Sequence, residues 1–186
     1  RLRAIPNRTV LSALLGGLLL LGASSASAKP RSVLVLPFAP IDLGREEQWL
    51  GEAVAESLGL ALIQVPALVQ IDRGRLRTVP QSDFWSEKSA LSAARALNAD
   101  IALYGEVRRT AGELSFQPRF IELKGDQAAQ GALEAVTVPE GELLERLKTI
   151  PVAYLRALKV PATDAELARV QKYAAPTASA RAYEAY

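Results

Sequence analysis

The chain has 186 residues, of which 49% are hydrophobic and 23% charged, a composition typical of a globular protein with one core. Its formal net charge of +2 includes three arginines that precede Lys29, and the remaining sequence carries 19 basic and 20 acidic residues. That balance gives no electrostatic footprint for nucleic acid. Because the sequence contains neither Cys nor His, it excludes thiol nucleophiles, disulfides, imidazole bases and the usual zinc ligands.

The first element is an apolar segment with the features of an export signal. Arg1, Arg3 and Arg8 precede the run VLSALLGGLLLLGA at 10–23, and small residues ending in Ala28 follow it. A basic start, an apolar stretch of about 7–15 residues and an Ala-x-Ala site describe a secretory signal peptide. The run is also shorter than the roughly 20 residues of a membrane span. We predict cleavage after Ala28 and a periplasmic or secreted mature protein without a stable membrane span.

A second apolar run, RSVLVLPFAP at 31–40, has a different character. It is short, rich in Val and Leu and stopped by prolines, which predicts a strand over 32–38 buried on both faces. The next predicted elements are a turn at 42–44, a helix opened by Glu46 and Glu47, a strand at 67–71, a polar connection at 72–84, a helix at 87–97 capped by Ser86, and a strand at 99–107. This alternation indicates parallel strands joined by right-handed crossovers.

After Gly112 the pattern becomes antiparallel. The predicted elements are a half-buried strand at 113–123, a turn at Gly125 and Asp126, a strand at 132–138, and a helix over 140–158 that Pro139 opens and Pro151 kinks. Pro118, inside the first of these strands, suggests a sheet edge or a bulge. The fold class is therefore α/β: a mixed sheet of about five strands, three parallel and then an antiparallel pair, with flanking helices, in a domain over 29–160.

Beyond Pro161 the sequence predicts a short helical segment. Thr163 and Glu166 have the spacing of a capping box, and the helix they open extends to about Tyr173. After a break, 177–186 begins another helix that is unfinished at the last residue. We interpret 161–186 as a linker and the start of a helical region that we expect to continue.

Four motifs resemble a known domain. They are LPF at 36–38, WLGE at 49–52, VPALVQI at 65–71 and ADIALYGEV at 99–107. In this order they resemble the TolB-type amino-terminal domain, in the broad group that contains FlgO- and CsgG-like envelope proteins, over about residues 32–158. Family members often carry a small hydroxyl residue where this chain has Glu106. In such proteins the domain often precedes tetratricopeptide repeats, and 182–186 is similar to the start of a first repeat helix.

The resemblance implies an α/β domain used in envelope assemblies or as a sensory or scaffolding module, without catalytic residues. The residues themselves agree. The acidic group Glu46, Glu47, Glu52 and Glu56 lacks a calcium-loop pattern and is interpreted as a solvated helix face. Ser86 and Lys88 lack the S-x-x-K spacing of a Ser–Lys pair, and the glycines form no phosphate-binding loop. We therefore expect no enzyme activity, no catalytic residue, no metal and no cofactor.

Four residues are candidates for binding a partner. Phe84 and Trp85 lie in an otherwise polar connection, where an aromatic pair either covers the core or anchors an interface. Arg108 and Arg109 end a strand and are able to meet an acidic partner or phosphate, although arginines beside a turn are commonplace. Our first hypothesis is a non-enzymatic exported module that presents a C-terminal helical repeat array to protein partners of the cell envelope. The alternatives are a subunit of an envelope secretion or assembly apparatus and a small-ligand sensor that uses the open end of the sheet.

Overall fold

The structure is a computed structural model that describes residues 29–80, 84–139 and 142–175. The strands are β1 (Arg31–Val35), β2 (Ala39–Ile41), β3 (Leu68–Gln70), β4 (Ile101–Thr110), β5 (Glu113–Lys124), β6 (Gln127–Ala132) and β7 (Val136–Val138). The helices are α1 (Leu50–Leu62), α2 (Glu87–Ala96), α3 (Leu143–Leu147), α4 (Thr149–Ala157) and α5 (Asp164–Ala174). Short 3₁₀ turns lie at Arg45–Glu47 and Arg73–Thr78. The predicted signal peptide and the segment 176–186 lie outside the described residues.

The strands form one seven-stranded mixed sheet in the order β3-β1-β4-β5-β6, with β2 against β4 and β7 against β5. β1 is parallel to both β3 and β4, whereas β5 is antiparallel to β4, β6 and β7. This confirms the predicted α/β class with three parallel strands followed by an antiparallel part. The structure has two more strands than predicted, because β2 follows the strand predicted over 32–38 and β6 precedes most of the strand predicted over 132–138.

β1 lies at the centre of the parallel part and is buried on both faces, as predicted. Val33 and Val35 contact the core under α1, and Leu34 and Leu36 contact the core under α2. Burial of each such side chain contributes about 1.5–3 kcal/mol to stability. β1 ends at Val35, although the Leu36 N–H still donates to the Leu103 carbonyl (2.9 Å), and pairing with β4 resumes as β2, in which Pro40 pairs with Val107. The strand predicted over 32–38 therefore ends early.

The helices cover both faces of the sheet. α1, α3, α4 and α5 pack on one face and α2 on the other. Tyr154 of α4 is fully buried, and its hydroxyl donates to the carbonyl oxygens of Tyr104 (3.1 Å) and Arg119 (3.0 Å). Burial raises the pKa of Tyr154 well above its ordinary value. None of the helices in residues 29–80, 84–139 and 142–175 has the length and apolar character needed to cross a membrane.

Pro118 marks a bulge, one of the two features its position predicted. The outer strand pairs Arg119 with Ala132 on one side of the proline and Phe116 with Val136 on the other, so it contains one extra residue. Opposite Pro118, the Leu133 N–H donates to the Pro118 carbonyl (2.9 Å). The Gln117 side-chain amide donates to the Leu133 carbonyl (2.8 Å), replacing the N–H that proline lacks. The strand predicted over 132–138 is therefore limited to Val136–Val138 (β7), and the sequence did not predict β6, which shares only Ala132 with it.

The helical predictions were partly right. The Ser86 and Thr163 caps are present, the second as a full capping box with Glu166. The helix predicted over 140–158 is interrupted at Lys148 between α3 and α4 and not at Pro151, which lies in the first turn of α4, where its missing N–H would have no helical partner. Pro139 precedes the helix, and the predicted helical start at 140–141 lies outside the described residues.

α5 packs in the same core as α1. Val170 and Ala174 are fully buried there, and the Ser57 hydroxyl of α1 donates to the Ala174 carbonyl. This bond satisfies a carbonyl at the end of α5, for which the helix provides no N–H donor of its own. The last described helix is thus fixed to the sheet-covering layer.

Candidate functional site

A cleft lies where the chain leaves β1 and β3. Its volume is about 530 Å³. Its walls are formed by the segment after β1, the start of α1, the 3₁₀ turn after β3, and the aromatic residues before α2. The lining residues are Pro37, Phe38, Ala39, Pro40, Gln48, Glu52, Arg73, Gly74, Leu76, Arg77, Phe84 and Trp85. Ligands of open α/β sheets bind at the carboxyl ends of the strands. The sequence analysis predicted this end of the sheet as the position of a small-ligand site.

Phe38 lines the cleft and contacts two glycines, Gly51 and Gly105. Phe38 is fully buried, and its N–H donates to the Gly51 carbonyl (3.1 Å) in the first turn of α1. A Cβ at Gly51 would collide with the Phe38 carbonyl oxygen, and a Cβ at Gly105 would lie 2.6 Å from the Phe38 ring. The two glycines therefore allow the helix and β4 to approach Phe38 closely, which explains their presence by packing.

Both residues of the predicted aromatic pair line the cleft, but one is buried and the other is exposed. Trp85 is 8% exposed and belongs to the core under α2, together with Leu36 and Tyr104. Phe84 is 51% exposed. The structure therefore gives Trp85 a packing position and leaves Phe84 as the aromatic surface of the cleft. A partner-binding role for either residue stays a prediction.

The charged residues of the cleft come from the 3₁₀ turn and α1. Asp72 caps the turn by accepting the Gly74 N–H (2.6 Å). Arg73 forms ion pairs with Glu52 and with Glu56 (2.6 Å) of α1, and this neutralises its charge. Arg77 is exposed and has no ion pair with any residue in the described parts of the chain. The lining of the cleft therefore includes an exposed arginine, Arg77, and an exposed aromatic ring, that of Phe84.

Arg108 and Arg109 lie elsewhere on the molecule and do not line the cleft. Arg109 pairs with Glu47 and donates to the Gly112 carbonyl (2.6 Å). The hydrogen bond from Arg109 lowers the pKa of Glu47, against the opposing effect of partial burial. Arg108 pairs with Glu106, which raises the pKa of Arg108. Both arginines are engaged within the fold, and their proposed role toward a partner stays a prediction.

Three of the four residues in the predicted acidic group form ion pairs with arginines. Glu47 pairs with Arg109, and Glu52 and Glu56 pair with Arg73. Within residues 29–80, 84–139 and 142–175, no group of three or more acidic residues is placed to hold a metal ion. Ser86 accepts the Ser89 N–H (3.3 Å) as the helix cap, the structural role predicted for it.

Sequence reasoning missed Arg73 and Arg77. The segment RGRLRT at 73–78 was taken as an irregular polar connection, whereas it forms a 3₁₀ turn with buried Leu76 and exposed Arg75 and Arg77. The available signal was Leu76, a single apolar residue between arginines. An apolar residue in such a segment indicates that its side chain is buried and that the arginines around it lie at the surface.

No protein-family model matches the chain, and no curated protein sequence matches it. Among solved structures, the chain is similar to the LpoB C-terminal domain from Salmonella enterica, with 15% identity over 59% of this chain and 87% of that chain and a TM-score of 0.42. It is similar to the LpoB C-terminal domain from Escherichia coli, with 17% identity over 61% and 89% and a TM-score of 0.35. It is also similar to lipoprotein GNA1162 from Neisseria meningitidis, with 14% identity over 72% and 100% and a TM-score of 0.40. Similarities of this size assign no function to the chain.

Proposed function

We propose that the chain is an exported, non-enzymatic interaction module of the bacterial cell envelope whose cleft receives a protein partner. The observation that carries the proposal is that the exposed Phe84 ring and the exposed Arg77 line the same cleft as the buried side chains of Phe38 and Trp85. Aromatic and arginine side chains dominate the binding energy of protein interfaces, and they act best when a rigid scaffold positions them.

The chemistry of the cleft supports binding over catalysis. The sequence has no His or Cys to act as base or nucleophile. The carboxylate in the cleft, Glu52, is engaged in an ion pair with Arg73. Binding of a partner requires a surface of suitable shape and charge, and the cleft has both a concave shape and charged side chains.

The predicted export signal supports the location in the envelope. Residues 10–23 and the Ala-x-Ala site before Lys29 have the pattern of a cleaved leader. We also propose that the domain presents to its partners a helical repeat array, of which the segment 177–186 is the predicted start. A role as a subunit of a secretion or assembly apparatus would use the same cleft for a fixed neighbour in that apparatus.

The cleft also favours a second candidate function, a small-ligand sensor. Its volume of about 530 Å³ falls within the roughly 300–1,000 Å³ of small-molecule sites. A ligand with an anionic group and an apolar body would contact Arg77 and Phe84. The two candidates differ in the size of the occupant, and an experiment on the intact cell separates them.

The experiment places a photoreactive amino acid at position 77 in the whole chain, expressed with its leader in a bacterial host related to the source. A protein partner in the cleft predicts a discrete cross-linked protein after irradiation of living cells. The matched control carries the same group at Lys172, an exposed basic position on α5 that does not line the cleft. A co-purifying small molecule without a cross-linked protein would favour the sensor, and equal cross-linking from both positions would contradict a partner in the cleft.

A further inference from the structure

β6 ends the sheet on the side opposite β3. Five of its six residues are exposed, and Gly131 is half-buried. The strand reads QAAQGA and carries no charge. The Gln130 side chain donates to Glu87 of α2 (2.8 Å), and Arg95 of α2 donates to the Asp126 carbonyl (3.2 Å), so the strand is held in place against the helix. β6 is therefore an ordered outer strand.

The hydrogen-bond register shows which backbone groups of β6 face outward. Leu133 donates to Pro118 (2.9 Å), which makes 118 and 133 a hydrogen-bonded position of the β5–β6 ladder. In an antiparallel pair such positions alternate along the strand. Residues 127, 129 and 131 therefore bond to β5. The peptide groups of Ala128, Gln130 and Ala132 point away from the sheet, and no strand among residues 29–80, 84–139 and 142–175 pairs with them.

The usual protections of an outer strand are missing from β6. Natural sheet edges are blocked by lysines, prolines, short strands or bulges. The opposite edge, β3, has only three residues and follows Pro66. β6 has twice that length, with no Lys and no Pro, and the bulge opposite Pro118 lies beyond its end. An edge of this kind is a template for another strand.

We propose that β6 pairs antiparallel with β6 of a second copy of this chain, so that two sheets join into one. The strand is its own complement. We place a two-fold axis perpendicular to the sheet and midway between the two copies of Gln130, so that these two residues lie opposite each other. Ala128 of each copy then lies opposite Ala132 of the other. At all three outward positions, each residue then donates its N–H to, and accepts an N–H from, the residue opposite it in the second copy. The side chains across the junction are small and uncharged, so no like charges are opposed within the strand.

The joined sheet leaves both clefts open, since no residue of β6 lines the cleft. The inference goes beyond the proposed function and does not depend on it. A two-fold pair would present two clefts on one particle, and a divalent partner would bind such a pair more tightly through effective concentration.

The test uses the whole purified chain as the host delivers it. Backbone amide hydrogen exchange is measured at micromolar and millimolar protein concentration, together with mass by sedimentation equilibrium. The amides of Ala128, Gln130 and Ala132 are expected to become protected as the dimer forms. The amides of Ala129 and Gly131, which bond to β5, are the internal control and remain protected throughout. Fast exchange of the three outward amides at every concentration would overturn the proposal.

A substitution separates this interface from any other. Gln130→Pro removes an outward N–H and leaves the β5–β6 ladder intact, and proline is tolerated on outer strands at such positions. The variant is expected to retain its circular dichroism spectrum and to sediment as a monomer. Ala129→Pro, which removes an N–H used by β5, is expected to destabilise the fold. A folded Gln130→Pro variant that still dimerises would contradict pairing through β6; if the variant does not fold, the exchange measurement on the unaltered chain decides.

Discussion

At the scale of single residues, Phe84 and Trp85 show how neighbours in sequence take different positions. The composition of the connection indicated an aromatic pair at the start of a helix, with either a core or a binding role. Only the packing of α2 against the sheet decides that Trp85 turns inward and Phe84 outward. The Ser86 and Thr163 caps were predictable because a cap depends on residues three positions apart.

This division leads to different effects of truncation. Trp85→Ala is expected to lower the free energy of unfolding by about 3–5 kcal/mol because it empties a buried aromatic site. Phe84→Ala is expected to change it by less than about 1 kcal/mol, since an exposed side chain contributes little to folding. Urea denaturation of both variants measures the difference. Equal losses would show that Phe84 also covers the core.

Packing of single residues also explains two glycines in the sequence motifs. Gly51 and Gly105 were noted as motif residues, without a reason. The structure shows that each allows a close approach to Phe38, one from α1 and one from β4. Such contacts join segments far apart in sequence, so no local pattern revealed them.

At the scale of elements, the relative direction of the strands was easier to predict than the ends of the strands. The alternating strands and helices fixed the parallel part, because right-handed crossovers leave few arrangements. The ends of β1, β6 and β7 depend on neighbouring strands. The bulge opposite Pro118 adds one residue, and only the two registers on either side of it show where.

The Gln117 amide is the element-scale feature that is simplest to test. It bonds to the Leu133 carbonyl in place of the N–H missing from Pro118. Gln117→Ala is expected to lower the free energy of unfolding by about 0.5–1.5 kcal/mol, the usual contribution of such a bond, and to speed amide exchange in β6 near the bulge. Gln127→Ala, at an exposed position of β6, is the control and is expected to change neither. An unchanged exchange rate in the Gln117→Ala variant would show that the side chain does not support the bulge.

At the scale of the whole molecule, the sequence indicated where a site would lie but not its composition. The open end of the sheet was predicted from the parallel strands, and the cleft is there. Its charge depends on ion pairs between Arg73 and α1, which are 17 and 21 residues apart in sequence. Arg77 also lines the cleft and has no ion pair within residues 29–80, 84–139 and 142–175, a result that no count of charges gives.

The central claim is that Phe84 binds a partner and does not stabilise the fold. The most direct measurement is the affinity of purified variants for the protein cross-linked from position 77. Phe84→Ala is expected to weaken binding by about tenfold or more, the effect of losing an interface anchor, with little change in thermal stability. Val69→Ala is the control, since Val69 is 55% exposed on β3 and does not line the cleft, and it is expected to bind as the unaltered chain does. Unchanged affinity of the Phe84→Ala variant would contradict the account.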